Sequence, residues 1–354
     1  MKNITFFDGH NDTLLALYLP SKSKGRTFFK ESIHGHIDLP RMKKSNFFGG
    51  FFAIFVPNDP NGRDINTRPI FQNETSYEYE MEKPIEHKYA LKFTKNIIRS
   101  AREIERQSGG EVKIVESFQD IKLAINNKNV AMLLHLEGAE AVSEDLSNLP
   151  ELIQLGVRSI GIVWSRNNCF GHGVPFKYPS SPDIGPGLTD SGRELIKVCN
   201  EQGILIDMAH LNEKGFWDAA KISTKPLVVT HAAANSVTAT ARNLTDRQLD
   251  AIAESNGVVG LTLALNDIRG EGSLKTNTPL SQYFKHFDYL VERVGVDHVA
   301  FGSDFDGARI SDEIKDVCGL KKLVEYFSEN GYDKDSLEKI SHKNWLRVLQ
   351  STIR

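Results

Sequence analysis

The feature that most constrains this chain is an alternation of short apolar runs with longer amphipathic stretches. The apolar runs are Ile4–Phe7, Gly50–Val56, Val130–Leu136, Ser159–Val163, Ile204–Met208, Leu227–Val229, Val258–Leu265 and His298–Phe301. Most are rich in Val, Ile, Leu and Phe with little polar alternation, as parallel strands covered on both faces require. Helical patterns fill the intervals at Lys83 to Glu105, Asp145–Leu155, Thr189–Gln202, Glu213–Lys221, Thr245–Glu254 and Leu280–Val294. The region Ile314–Ile353 reads as more than one helix. Pro150 suggests that the regular part of its helix starts late, and Thr189 is the natural cap of the next. Eight strand–helix alternations predict a (β/α)8 barrel of the TIM type rather than an open doubly wound sheet. No GxGxxG follows the first strand, so the dinucleotide-binding alternative lacks its fingerprint.

With 354 residues and neither linker nor internal repeat, the chain is expected to form one barrel domain over 1–354. Two polar segments, Pro57–Met81 and Gly171–Gly187, read as long loops after strand ends, hence on the catalytic face of a barrel. A formal net charge of −3 argues against nucleic acid and anionic membrane surfaces as partners. Cys169, Cys199 and Cys318 are odd in number and lack CxxC spacing, which argues against a disulfide framework or a thiolate metal site. No apolar run approaches the roughly 18 residues of a membrane span. No signal-peptide pattern opens the sequence, so it reads as cytoplasmic.

The strand ends carry the chemistry. The first runs into Asp8-Gly9-His10-Asn11-Asp12, where His10 and Asp12, two apart in extended chain, are expected to share a face. The third ends in His135-Leu136-Glu137, the fifth in Asp207-Met208-Ala209-His210 and the sixth in Thr230-His231. The eighth ends in Ser303-Asp304-Phe305-Asp306. A single histidine at a strand end is ordinarily structural. Several imidazoles and carboxylates at one end of a barrel are costly to bury uncompensated, and divalent cations are the usual compensation. Nitrogen and oxygen ligands suit zinc and tolerate manganese, cobalt or iron. Five ligand-type residues exceed the need of one catalytic zinc, which points to two ions sharing a carboxylate and clamping a hydroxide.

Five segments together resemble the membrane (renal) dipeptidase family of the amidohydrolase superfamily. They are DGHND at 8–12, HLEGAE at 135–140, GILIDMAH at 203–210, VTHAAANSV at 229–237 with Ala241-Arg242-Asn243, and FGSDFDG at 301–307. The resemblance implies that His10 and Asp12 hold one zinc, His210 and His231 the other, and Glu137 both. It implies that Arg242 pairs with the substrate's C-terminal carboxylate and that Asp304 moves a proton from water to the leaving amine, with Asp306 behind it. It also implies a dipeptide substrate and a homodimer. One position departs from the pattern: Trp164 stands where the family's fourth strand ends in a histidine that binds the scissile carbonyl. Indole N–H donates one hydrogen bond and carries no proton. Either zinc polarises the carbonyl unaided or His172 on the following loop reaches in. The rival functions are lactone, N-acyl amino acid or β-lactam hydrolysis on the same barrel, and a metal-binding relative without turnover.

Overall fold

The structure is a computed structural model that describes residues 4–60, 69–269, 271 and 274–353. Eight parallel strands follow one another in chain order: β1 Phe6–Asn11, β2 Phe47–Phe55, β3 Val130–Glu137, β4 Val157–Gly161, β5 Leu205–Asp207, β6 Val228–Ala232, β7 Val258–Leu261 and β8 Val299–Phe301. Each pairs in parallel with its neighbour, and a short strand at Val112–Ile114 adds to β3 outside this path. Closure between β8 and β1 is narrow. A parallel bridge joins Asn11 to Phe305, Asp12 N–H donates to the Phe305 carbonyl, and Asp304 N–H donates to the His10 carbonyl. The arrangement is the expected (β/α)8 barrel.

Helices wrap the barrel for the anticipated local reasons. Thr189 caps Asp190–Gln202 by accepting from Gly192 N–H, Asn212 caps Glu213–Ile222, and Thr245 with Gln248 forms a capping box on Asp246–Glu254. The helix containing Pro150 does start late, at Leu149. The C-terminal region holds several helices, of which Asn344–Thr352 plugs the barrel floor. There Trp345 is fully buried, packs on Phe51 at 5.1 Å and donates from Nε1 to the Phe301 carbonyl. With the floor filled, the opposite end is left for chemistry.

The two long polar segments contain structure that their composition did not announce. Strands Pro69–Gln72, Tyr77–Tyr79 and Lys177–Tyr178 form a small antiparallel sheet joining them, with Tyr77 opposite Tyr178 and Glu78 opposite Lys177. Residues 61–68 of the first segment lie outside the described residues. All three cysteines are free thiols, as their spacing implied.

Candidate metal centre

At the C-terminal ends of the strands the predicted residues converge. His10 is fully buried in β1. Asp12 is not extended as expected: its φ of −98° and ψ of 24° place it at the start of helix Thr13–Tyr18. The turn still returns its carboxylate, and His10 Nε2 lies 3.4 Å from Asp12 Oδ2 and 3.6 Å from Glu137 Oε1. From the other side His210 Nε2 and His231 Nε2 lie 3.2 and 3.7 Å from the same Glu137 oxygen and 3.0 Å from each other. Glu137, last residue of β3, is thus the hub on which three histidines from three other segments converge, with Asp12 beside one of them.

The supporting contacts are as regular as the hub. Asp8 accepts from Ser303 N–H at 2.8 Å and Ser303 Oγ at 2.6 Å, fixing the residue before Asp304. Asp207 accepts from Thr230 N–H at 2.8 Å and Thr230 Oγ1 at 2.7 Å, fixing the residue before His231. Each buried carboxylate therefore ties one functional strand end to another. His135, expected as part of the same motif, lies one layer down with Nδ1 on Ser159 Oγ at 2.9 Å and Nε2 3.4 Å from Asp207.

The electrostatics suit a cation. Burial pulls His10 down, but Glu137 and Asp12 outweigh it and hold the imidazole well above its ordinary value. Burial raises Glu137, with Asp12 adding to the rise against His10 and Arg242. Burial likewise drives Asp304 well above the carboxylate range, opposed by His10 and reinforced by Asp12 and Glu137. Burial, then the nearby Arg242 and His10, hold His210 and His231 well below the usual range, so both offer lone pairs. Burial also raises Asp207, although the donors around it act in the opposite direction. Among the described residues neither ring nitrogen of the buried His10 has a hydrogen-bond partner, an orphaning that ordinary packing avoids. Two groups, His10 with Glu137 and His231, and His10 with Asp12 and Asp304, bring ligand atoms within 4.8 Å of one another. This donor set fits divalent cations. Asp304, assigned from sequence to proton work alone, also stands within ligand reach.

Above the hub opens a cavity of about 560 Å³. Asp12, Glu137, His210 and Asp304 form part of its floor, and Arg242 and Trp164 line it. Arg242 is buried and donates to the His231 carbonyl at 3.2 Å, so the guanidinium is anchored beside the centre. Trp164 packs on Phe55 at 4.7 Å and Phe176 at 5.8 Å, and the Arg166 guanidinium lies 5.6 Å from its ring. His172 does not line the cavity; its Nδ1 is 3.1 Å from the Gly187 carbonyl. Asp306 is likewise engaged elsewhere, 2.8 Å from Arg26 Nη2 and accepting from His36 N–H at 2.8 Å. The sequence reading missed Tyr77, Tyr79, Asn266 and Asp267, all of which line the cavity. The Asn266-Asp267 pair after β7 followed the strand-end rule that found the others; the tyrosines sit in the small sheet and had no such signal.

Comparison with known proteins points to a family of dipeptidases. The membrane dipeptidase family (peptidase family M19) matches residues 1–353. A crystal structure of a dipeptidase, a metallo peptidase of family M19, has a TM-score of 0.91 and 41% identity, covering 99% of both chains. A metallo peptidase from Rhodobacter sphaeroides, liganded with a phosphinate mimic of the dipeptide L-Ala-D-Ala, gives the same identity, coverage and TM-score. An uncharacterized protein in the pqqA 5' region of Klebsiella pneumoniae is 43% identical over 250 residues, 71% of this chain and 92% of the relative.

Proposed function

The chain belongs to the membrane dipeptidase family, peptidase family M19, whose members are metallo-dipeptidases, and from that premise we propose a two-zinc hydrolase of small dipeptides with a free C-terminal carboxylate. His10 and Asp12 would hold one ion, His210 and His231 the other, and Glu137 would serve both. Bound there, the ions supply Lewis-acid polarisation of the scissile carbonyl and lower the pKa of water. The observation that carries the reading is the convergence of His10, His210 and His231 on Glu137, with Asp12 beside His10, at the floor of a cavity that Arg242 also lines. The dipeptide mimic held by the 41%-identical Rhodobacter sphaeroides enzyme supports the same substrate class.

The protein's own residues supply the rest. Arg242 receives the terminal carboxylate through its planar fork, which sets the peptide's register over the floor. Asp304 takes a proton from the attacking water as its oxygen bonds to the carbonyl carbon. It returns that proton to the amide nitrogen as the C–N bond breaks. Trp164, with Phe55 and Phe176, walls the cavity where the family's histidine is replaced. This wall narrows the space beside the scissile bond, so a ring-constrained β-lactam is expected to be handled worse than an open dipeptide.

The test compares free and C-terminally amidated dipeptides with the metal-loaded enzyme. Loss of one charge-assisted contact, roughly 1.5–3 kcal/mol, lowers kcat/KM about ten- to a hundredfold on amidation, and Arg242→Ala erases the preference. Equal efficiency on both substrates removes the carboxylate clamp and moves the reading to lactone hydrolysis.

A further inference from the structure

A histidine that binds a metal through one nitrogen must carry its proton on the other. Thr230 Oγ1 lies 2.7 Å from Asp207 Oδ2 and 3.0 Å from His231 Nδ1, between a buried carboxylate and the imidazole. Asp207 Oδ1 is already occupied by the N–H groups of Thr230 and Ala209, at 2.8 and 3.0 Å. A carboxylate surrounded by donors accepts, and a hydroxyl has a single proton to give. Thr230 therefore donates to Asp207, and its oxygen is left only to accept from His231. That places the imidazole proton on Nδ1 and frees the Nε2 lone pair toward Glu137. His210 has no such chain behind it: its Nδ1 meets Ser165 Oγ at 2.8 Å, and among the described residues that hydroxyl has no second partner to fix its direction.

We propose that Asp207 and Thr230 are positioning residues, a two-step hydrogen-bond relay that sets the tautomer of His231 for metal binding. The inference rests on the ligand role proposed above for His231. It makes Asp207 something more than a strand tie, because it assigns a direction to each hydrogen bond and so a sign to each substitution. In Asp207→Asn the two backbone N–H groups hold the amide oxygen at the Oδ1 position. The amide nitrogen then faces Thr230 and donates to it. The hydroxyl proton turns toward His231 Nδ1, and the imidazole proton moves to Nε2, where it blocks the ligand site.

The experiment uses the full-length protein and zinc, with affinity measured by chelator competition. Thr230→Ser retains the hydroxyl and is expected within about threefold of wild type. Thr230→Val keeps the shape and loses the hydroxyl, and Asp207→Asn reverses it; both are expected to weaken zinc binding about ten- to a hundredfold, the usual scale for outer partners of a ligand. Nitrogen-15 NMR of the metal-free protein should show His231 protonated at Nδ1 in wild type and at Nε2 in Asp207→Asn, a readout that a merely structural role does not move. Circular dichroism separates an unfolded variant from a rewired one. Wild-type zinc affinity in both Thr230→Val and Asp207→Asn, with His231→Ala weakened, overturns the relay alone. Undiminished affinity in His231→Ala overturns the metal reading and the relay with it.

Discussion

Asp304 sits in left-handed backbone with φ of 58°, as do His210 at 65° and Asp306 at 67°. Such conformations cost a side-chain-bearing residue on the order of 1–3 kcal/mol each and persist only where the surroundings over-determine them. Here the surroundings are identifiable: Asp304 N–H is held by the His10 carbonyl, Ser303 is gripped by Asp8, and Asp306 is tied to Arg26 and His36. The carboxylate of Asp304 is therefore aimed by its backbone. Asp304→Asn preserves shape and aim but removes the base, so turnover is expected to fall by about 10²–10⁴ while zinc content and inhibitor binding persist. Steady-state kinetics with parallel metal analysis checks this. Near-normal turnover assigns the proton transfer to another group.

Arg242 depends on an element rather than on one contact. The segment leading to it, from Ala234 to Thr240, is fastened by His286 of helix Leu280–Val294. His286 Nδ1 accepts from Ala234 N–H at 3.3 Å, and Nε2 lies 3.0 Å from the Ile268 carbonyl and 3.1 Å from Thr238 Oγ1. That pattern uses the neutral ring. Burial lowers its pKa to about 4, with the Ile268 carbonyl opposing and Lys285 adding slightly. The unfolded chain, titrating near 6.5, binds the proton first as pH falls, so this contribution to stability is complete above about pH 6.5 and is lost on descent toward 4. Its size is on the order of 3 kcal/mol. Urea unfolding at pH 7 and pH 5 should show a steeper loss in wild type than in His286→Gln. Parallel slopes in the two proteins contradict the assignment.

At the scale of the molecule, the barrel converts residues far apart in sequence into one charged hub, and the hub is stable only when its charges are matched. Two equivalents of zinc per chain are expected from elemental analysis of reconstituted protein. Chelation is expected to lower Tm, because an ion that binds only the folded state stabilises it by mass action. Glu137→Gln, which weakens the shared oxygen, should reduce occupancy of both sites. A firm value of one equivalent, or full occupancy in Glu137→Gln, contradicts the two-ion reading. Among the described residues no helix is long and apolar enough to cross a membrane.

The order of the strands, their parallel sense and the helices between them were legible in the sequence because each is written in local periodicity and capping. Residues placed at the C-terminal end of a strand or just past it, such as Glu137, His231 and Asp304, were legible for the same reason: the barrel has one catalytic rim, and strand ends define it. Asp12 lies beside His10 for a reason other than the expected one, since a helix start and not an extended chain returns its carboxylate there. What local pattern could not supply was anything requiring two distant segments at once. The sheet joining Tyr77–Tyr79 to Lys177–Tyr178 is one such feature, and the engagement of Asp306 with Arg26 is another. The grip of Asp207 on Thr230 is a third. These contacts have no period and no fixed spacing. The sequence determined which chemical groups stand at the rim, while only the tertiary structure decided which of them face one another and which way their protons point.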